Sequence, residues 1–275
     1  MKRKFGRQIE ATRGWRWINM GEMFSYWEVL KTLIARDIKL RYTQTLLGVG
    51  WVILQPLITV GLFSIIFGKL MHLDSEGIPY MLFAFCGLIP WTFIYQGIQR
   101  AVSGIQNDRI IINKIYFPRL FIPLSSVVVS MIDVGILVII LGVLLKVFGL
   151  GVGWKVLFFP VCLMPLFCLT LGLGAFFSSL AVYYRDVTHL LPFFLQIFMY
   201  LSPVFYSSHT VPEKWLGLYQ LNPMVGIIDA CRWCFFTAGH FPMESFLIAA
   251  GLSLGLLVVG LFVFSQLEHY FADWI

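Results

Sequence analysis

Apolar residues in this chain run on continuously where a soluble protein would interleave them with polar ones. Six stretches approach or exceed the ~20 residues a helix needs to cross ~30 Å of hydrocarbon. They are Leu46–Leu70, Ile78–Ile98, Phe121–Leu145, Trp154–Tyr183, Thr188–Tyr206 and Met243–Gln266. None shows the short alternating segments of a membrane β-barrel, so helices are expected. Pro56, Pro90, Pro160, Pro165, Pro192 and Pro203 fall inside the runs and predict kinks, which membrane helices tolerate when neighbours satisfy the freed carbonyls.

Two regions depart from an up-and-down bundle. Over Tyr26–Arg41 the polar residues Glu28, Lys31, Thr32, Arg36 and Lys39 share one helical face, and Trp27, Leu30, Leu33, Ile34 and Ile38 the other. That pattern predicts an amphipathic helix lying in the membrane interface. Asp37 and Arg41 project from its apolar side, four residues apart. Either they neutralise each other in the headgroup layer, or that side lines a polar entrance. The second region holds two short segments, Pro212–Leu221 and Pro223–Ala238, each opening on proline, with Asn222 placed to cap the second. Neither is long and apolar enough to cross, given Asp229 and Arg232, so a re-entrant pair on the outer side is expected.

Composition agrees with the pattern. Hydrophobic residues make up 59% and charged residues 12%, against about 45–50% and about 25% in soluble domains. Disorder, collagen, coiled coil and a secreted disulfide scaffold are excluded. The net charge of +6 would fit a nucleic-acid partner, but its placement reads as topology. Of the 20 Lys and Arg, ten lie in the first 45 residues, four between Arg100 and Arg119, and one at Arg185. The remaining five (Lys69, Lys146, Lys155, Lys214, Arg232) fall on the other side. Both ends are therefore expected in the cytoplasm. No apolar core precedes Leu46, so no cleaved signal peptide is expected.

Candidate chemistry is sparse. Cys86, Cys162 and Cys168 sit in apolar runs as small hydrophobes. Cys231 and Cys234 have a redox or metal spacing, but no second pair or His cluster completes it, and packing is the simpler reading. Asp133 lies mid-span, where an ionisable group faces protein and marks function or a structural hydrogen bond. The loop Asp108–Phe117 carries Ile110, Ile111, Ile112, Ile115, Tyr116 and Phe117. Such residues on a cytoplasmic loop form a docking surface, or fold back onto the membrane. Leu47-Gly48 marks a sharp turn into the first span, with Gly48 and Gly50 serving the turn or helix packing. No G-x-x-x-x-G-K phosphate loop exists; the nearest, Gly61 to Gly68-Lys69, has two residues too many and lies in an apolar span. A D-x-D nucleotide-sugar site is also missing, which weighs against a membrane glycosyltransferase, and a proton-coupled carrier would rest on Asp133 alone.

Four motifs bring a resemblance. "LIARDIKLRYTQTLLGVGWVILQPL" (Leu33–Leu57) resembles the N-terminal signature of polysaccharide-exporting ABC transporter permeases, within the type-2 ABC exporters. "NKIYFPRLFIPLS" (Asn113–Ser125) is similar to their cytoplasmic coupling segment. "YYRDVTHLLPFFLQIFMYLSPVFY" (Tyr183–Tyr206) and "LNPM" (Leu221–Met224) are similar to the fifth span and outer loop.

The resemblance implies an all-α polytopic membrane protein in one permease domain over residues 1–275. It has a cytoplasmic region at 1–45 with an amphipathic gate helix, six spans, and a re-entrant pair between spans five and six. It implies a homodimer in the bacterial inner membrane that works with two ATPase subunits. Those subunits bind ATP and Mg, and this chain needs no cofactor and is no enzyme. The cargo implied is a lipid-linked glycan of O-antigen, capsular or teichoic-acid type; a drug or other lipid is the alternative.

Site expectations follow. ATPase coupling is assigned to Asp108, Ile112, Asn113, Lys114, Tyr116, Phe117 and Arg119. The entrance, where arginine forks suit a lipid pyrophosphate, is assigned to Arg36, Lys39, Arg41, Leu47 and Gly48. Trp51, Phe67, Tyr80, Phe83, Trp91, Phe198 and Tyr200 offer flat faces to sugars or serve as core and belt residues. Trp215, Tyr219, Asp229 and Arg232 are assigned to the outer gate.

Overall fold

The computed structural model describes residues 20–42, 50–73, 75–236, 240–268 and 271. Among them the regular structure is all helical. A short helix α1 (Met20–Ser25) leads into α2 (Trp27–Tyr42), and α3 (Gly50–Phe63) continues as a π-helical turn to Leu70. Then come α4 (Tyr80–Asn107), α5 (Arg109–Lys114), α6 (Phe121–Val147), α7 (Phe159–Tyr183) and α8 (Asp186–Tyr200). The short helices α9 (Glu213–Gln220) and α10 (Pro223–Phe235) precede α11 (Met243–Leu267).

Among the described residues five helical segments are long and apolar enough to cross a membrane: Gly50–Leu70, Tyr80–Asn107, Phe121–Val147, Trp154–Tyr183 and Met243–Leu267. Helix α4 is the axis of the bundle, with 78% of its apolar window buried against 17% for the first and last segments. It packs along α6 and α7, while α11 lies along α7 and α10 fills the space between α4 and α11. The helices run through Pro56, Pro90, Pro165 and Pro192; Pro160 sits in the first turn of α7, where its missing N–H costs nothing.

Two of the expected runs are redrawn. The stretch Thr188–Tyr206 is helical only to Tyr200 and continues as turns through Tyr206. Its 15 residues reach about 22 Å. Pro203 disfavours helical geometry at Ser202, and the Arg232 guanidinium takes the carbonyls of Pro203 (2.6 Å) and Val204 (3.1 Å) that a continued helix would have used itself. The stretch Ile78–Ile98 instead extends to Asn107. Its polar extension is satisfied by protein: Arg100 bonds Ser130 and Asp133, and Gln106 donates to Thr188 at 2.8 Å.

There are two cores. The larger joins α4, α6, α7 and α10. The smaller collects Leu30 and Leu33 of α2, Ile112 of α5, Phe117, Phe121 and Ile122 at the start of α6, and Phe264 and Phe271 at the end of the chain.

Candidate functional site

The apolar side of α2, with Asp37 and Arg41, packs on protein, while Glu28, Lys31 and Lys39 of its polar face are exposed and Arg36 reaches back from the edge of that face. Arg36 spans to Asp108 with two parallel bonds, Nη1 to Oδ1 at 2.7 Å and Nη2 to Oδ2 at 2.6 Å. Its Nε and Nη2 also donate to Asp37 Oδ1 at 3.0 and 2.7 Å. Burial alone would lower the guanidinium's pKa, but the bonds to Asp108 and Asp37 and their charges outweigh it and raise it. The other oxygen of Asp37 accepts from Ser125 at 2.9 Å. Asp37 therefore serves Arg36 and α6, and the local pair with Arg41 does not form.

Arg41 reaches deeper. It forms an ion pair with Asp133 of α6 and donates to Gln96 of α4 at 3.1 Å. Arg100 completes the cluster, with Nη2 at 3.1 Å from Asp133 and 2.7 Å from Gln96 and Nη1 at 3.2 Å from Ser130. Two guanidinium groups thus share one buried carboxylate. Asp133 has its structural hydrogen bond, from a residue counted in the sequence only as topological charge. Gln96 and Arg100, one turn apart on α4, were the legible signal, because an intramembrane acid needs a partner. Lys39 is exposed, while Leu47 and Gly48 lie outside the described residues.

In the segment 108–117, α5 stands directly after α4, with Asp108 between them. Ile112 and Phe117 are buried in the smaller core, contrary to the expected exposed loop. Their cover comes from α2 and from Phe271, contacts invisible in local sequence. What remains open is Lys114, Ile115 (57% exposed) and Tyr116 (62% exposed). The Tyr116 ring meets Tyr26 edge-on at 6.2 Å. The side chain of Asn113 lies outside the described set. Arg119 is fixed to the far end of the chain: its N–H donates to Glu268 Oε1 at 3.1 Å, its guanidinium donates to the Glu268 carbonyl and sits over Phe271.

The aromatic residues divide. Tyr80, Phe83 and Trp91 are core residues of this chain, so for them the core alternative holds. Tyr80 donates to the Phe205 carbonyl at 2.7 Å, and Trp91 packs against Tyr95 and Phe198. Trp51 and Tyr200 are exposed. Phe67 and Tyr200 line a shallow apolar groove with Phe63, Met199, Phe205 and Tyr206, in which Phe63 stacks on Phe205 at 3.9 Å.

Asn222 caps α10 by accepting from Met224 N at 2.9 Å, with Pro223 in the first turn. Arg232 is buried, pairs with Asp229 at 3.6 Å and lies 3.6 Å above the Phe83 ring. Tyr219 donates to the Tyr206 hydroxyl at 3.1 Å, and Trp215 is exposed on α9. Helix α10 is packed inside the bundle; only α9 presents an open surface. Cys231 and Cys234 are both buried, and Cys234 lies against Cys162, with the sulfurs 3.6 Å apart. Neither thiol should label with a membrane-impermeant maleimide in the resting protein. Rapid labelling, read by mass shift, would mean that α10 opens to water. Among the described residues no three His, Cys, Asp or Glu side chains gather as metal ligands.

Comparison with known proteins gives the family. The chain is 28% identical over 257 residues to the O-antigen export system permease protein RfbA of Klebsiella pneumoniae, covering 93% of this chain and 96% of that one. It is 28% identical to the inner membrane transport permease YadH of Escherichia coli strain K12, covering 88% and 93%. With the polysialic acid transport protein KpsM of Escherichia coli it is 24% identical, over 74% and 79%. The ABC-2 type transporter profile matches residues 28–236, a range that takes in all but the first residue of α2, and α5, α9 and α10. The chain belongs to the ABC-2 type transporter family.

Proposed function

We propose that this chain is the membrane subunit of an ABC exporter that carries a lipid-linked polysaccharide out of the cytoplasm. The observation that carries the reading is the near full-length similarity to a permease named for O-antigen export, joined by one named for polysialic acid transport. The assembly is two copies of this chain with two ATPase subunits, which bind the ATP and Mg. This chain's contribution is passage, docking and gating.

In this reading α8 with the turns Leu201–Tyr206 makes a sixth crossing, and both ends of the chain are cytoplasmic in a bacterial inner membrane. Helix α2 is the amphipathic gate helix at the inner leaflet, and α9 with α10 is the re-entrant pair on the outer side. Arg41, with Lys39 on the same helix, is the candidate for attracting the pyrophosphate of a lipid carrier, whose oxygens a guanidinium fork matches. The open rings of Trp51 and Tyr200 are the sugar-facing candidates, and Ile115 with Tyr116 is the ATPase contact.

The test is reconstitution with the candidate ATPase in proteoliposomes, measuring lipid-linked glycan flux beside flux of an unglycosylated lipid. ATP-dependent glycan flux is expected. Movement of the bare lipid alone would sink the polysaccharide reading. The double variant Ile115→Ala/Tyr116→Ala should insert normally yet lose ATPase binding and about 90% of flux, as when a central interface anchor is truncated. Normal ATPase binding by that variant would remove the docking assignment.

A further inference from the structure

The segment of α2 with Tyr26 before it and the segment 108–117 around the docking helix α5 are far apart in sequence and are joined by three separate contacts. The first is the two-pronged bond from Arg36 to Asp108, the residue at the hinge between α4 and α5. The second is the smaller core, in which Leu30 and Leu33 of α2 pack with Ile112 and Phe117 around the docking loop. The third is the edge contact of Tyr26 with Tyr116. The expected assignment sent Arg36 to a phosphate and Asp108 to the ATPase; the geometry gives each the other as its partner.

We propose that Arg36 and Asp108 form a clasp that makes the entrance helix and the docking helix move as one body, so that a push on α5 is delivered to α2. Arg36 is thereby a positioning residue. It does not need to touch cargo, because both prongs of its guanidinium are committed to Asp108. A bidentate arginine–carboxylate pair fixes direction as well as distance, which is what a rigid link requires and a single-point lysine contact lacks. The clasp also stands at the turning point of the chain: α4 ends at Asn107, α5 begins at Arg109, and Asp108 is the sole residue between. Asp37 backs the same guanidinium and is itself held by Ser125 at the start of α6. A displacement of α5 therefore reaches α2 directly, and the lower end of α6 bears the load.

This inference rests on α5 being the ATPase contact. That reading is judged by ATPase binding to the Ile115→Ala/Tyr116→Ala protein, whereas the clasp is judged only in variants that still bind the ATPase.

The experiment compares Arg36→Gln, Asp108→Asn and the exchange Arg36→Asp/Asp108→Arg in the complete transporter. Each is measured for co-purification of the ATPase, ATP hydrolysis and glycan flux. Both single variants should keep the ATPase and its hydrolysis but export at least about tenfold less, a loss of about 1.4 kcal/mol of coupling. The exchange keeps the cluster's net charge and should recover most of the flux. Full export by either single variant overturns the clasp, and so does an assembled exchange variant that exports no better than the singles. If a neutral variant fails to accumulate, Arg36→Lys is used in its place, since it keeps the charge and forfeits the fork. Reduced flux with intact hydrolysis is then expected, and unchanged flux overturns the proposal.

Discussion

Replacing Asp133 with alanine should destabilise the purified protein by about 3–5 kcal/mol, the cost of removing one partner from a buried ion pair. The carboxylate is 1% exposed and is shared by Arg41 from α2 and Arg100 from α4. Without it two guanidinium groups are left facing each other in a region with little water to solvate them, and like charges at that separation repel strongly when screening is weak. Asp133→Asn keeps an acceptor oxygen but not the charge, so its loss should be smaller. Arg100→Ala should cost less again, because Asp133 then retains Arg41 and one positive charge matches one negative. The order Asp133→Ala, Asp133→Asn, Arg100→Ala in decreasing damage is the signature of a two-to-one cluster. Thermal unfolding in detergent, followed by loss of the monodisperse peak, measures it. An Asp133→Ala midpoint equal to the parent's would show that the carboxylate is not what holds α2 to the bundle.

That cluster also shows where the sequence stops being legible. The long apolar runs reveal their helices because crossing a bilayer imposes length and continuity, and α6, α7 and α11 start and end within a few residues of the expected limits. The cap at Asn222 and the neutralisation of Arg232 by Asp229 were readable because both are local, within three residues. What the sequence missed was settled by distant partners. Asp37 and Arg41 looked like a pair on the helical wheel, yet Asp37 is taken by the neighbouring Arg36 and by Ser125 of α6, and Arg41 by Asp133 of α6. Phe117 and Ile112 looked exposed because the covering residues, Leu33 and Phe271, stand at opposite ends of the chain. Helix α8 looked longer than it is because the arginine that captures its terminal carbonyls lies about thirty residues further on. Periodicity reports what a segment would do alone; it carries no information on who competes for its polar groups.

A glycine pattern would mislead in the same way, and it yields the second large prediction. The small-residue spacing Gly251-x-x-x-Gly255 on α11 is the kind that brings membrane helices together. In the structure a side chain at either position would meet nothing within 4 Å. The close approach is one turn further on. A Cβ on Gly260 would lie 2.6 Å from the carbonyl carbon of Gly172 and closer still to its oxygen, while a Cβ on Gly172 would lie 2.6 Å from both Leu256 O and Leu257 Cα. These are backbone atoms of α7 and α11, which no rotamer change can move aside. Overpacking of a well-ordered core costs about 1–3 kcal/mol when side chains can yield, and here they cannot. Gly260→Val should therefore cost more than that range, spread α7 from α11, and sharply reduce the monodisperse protein recovered from membranes. Gly255→Ala should be neutral or more stable by up to about 1 kcal/mol, since alanine is the better helix former. The comparison controls for any general intolerance of α11 to substitution. If Gly260→Val and Gly255→Ala give the same unfolding midpoint and yield, α7 and α11 do not meet backbone to backbone at Gly172, and the packing of the last helix must be redrawn.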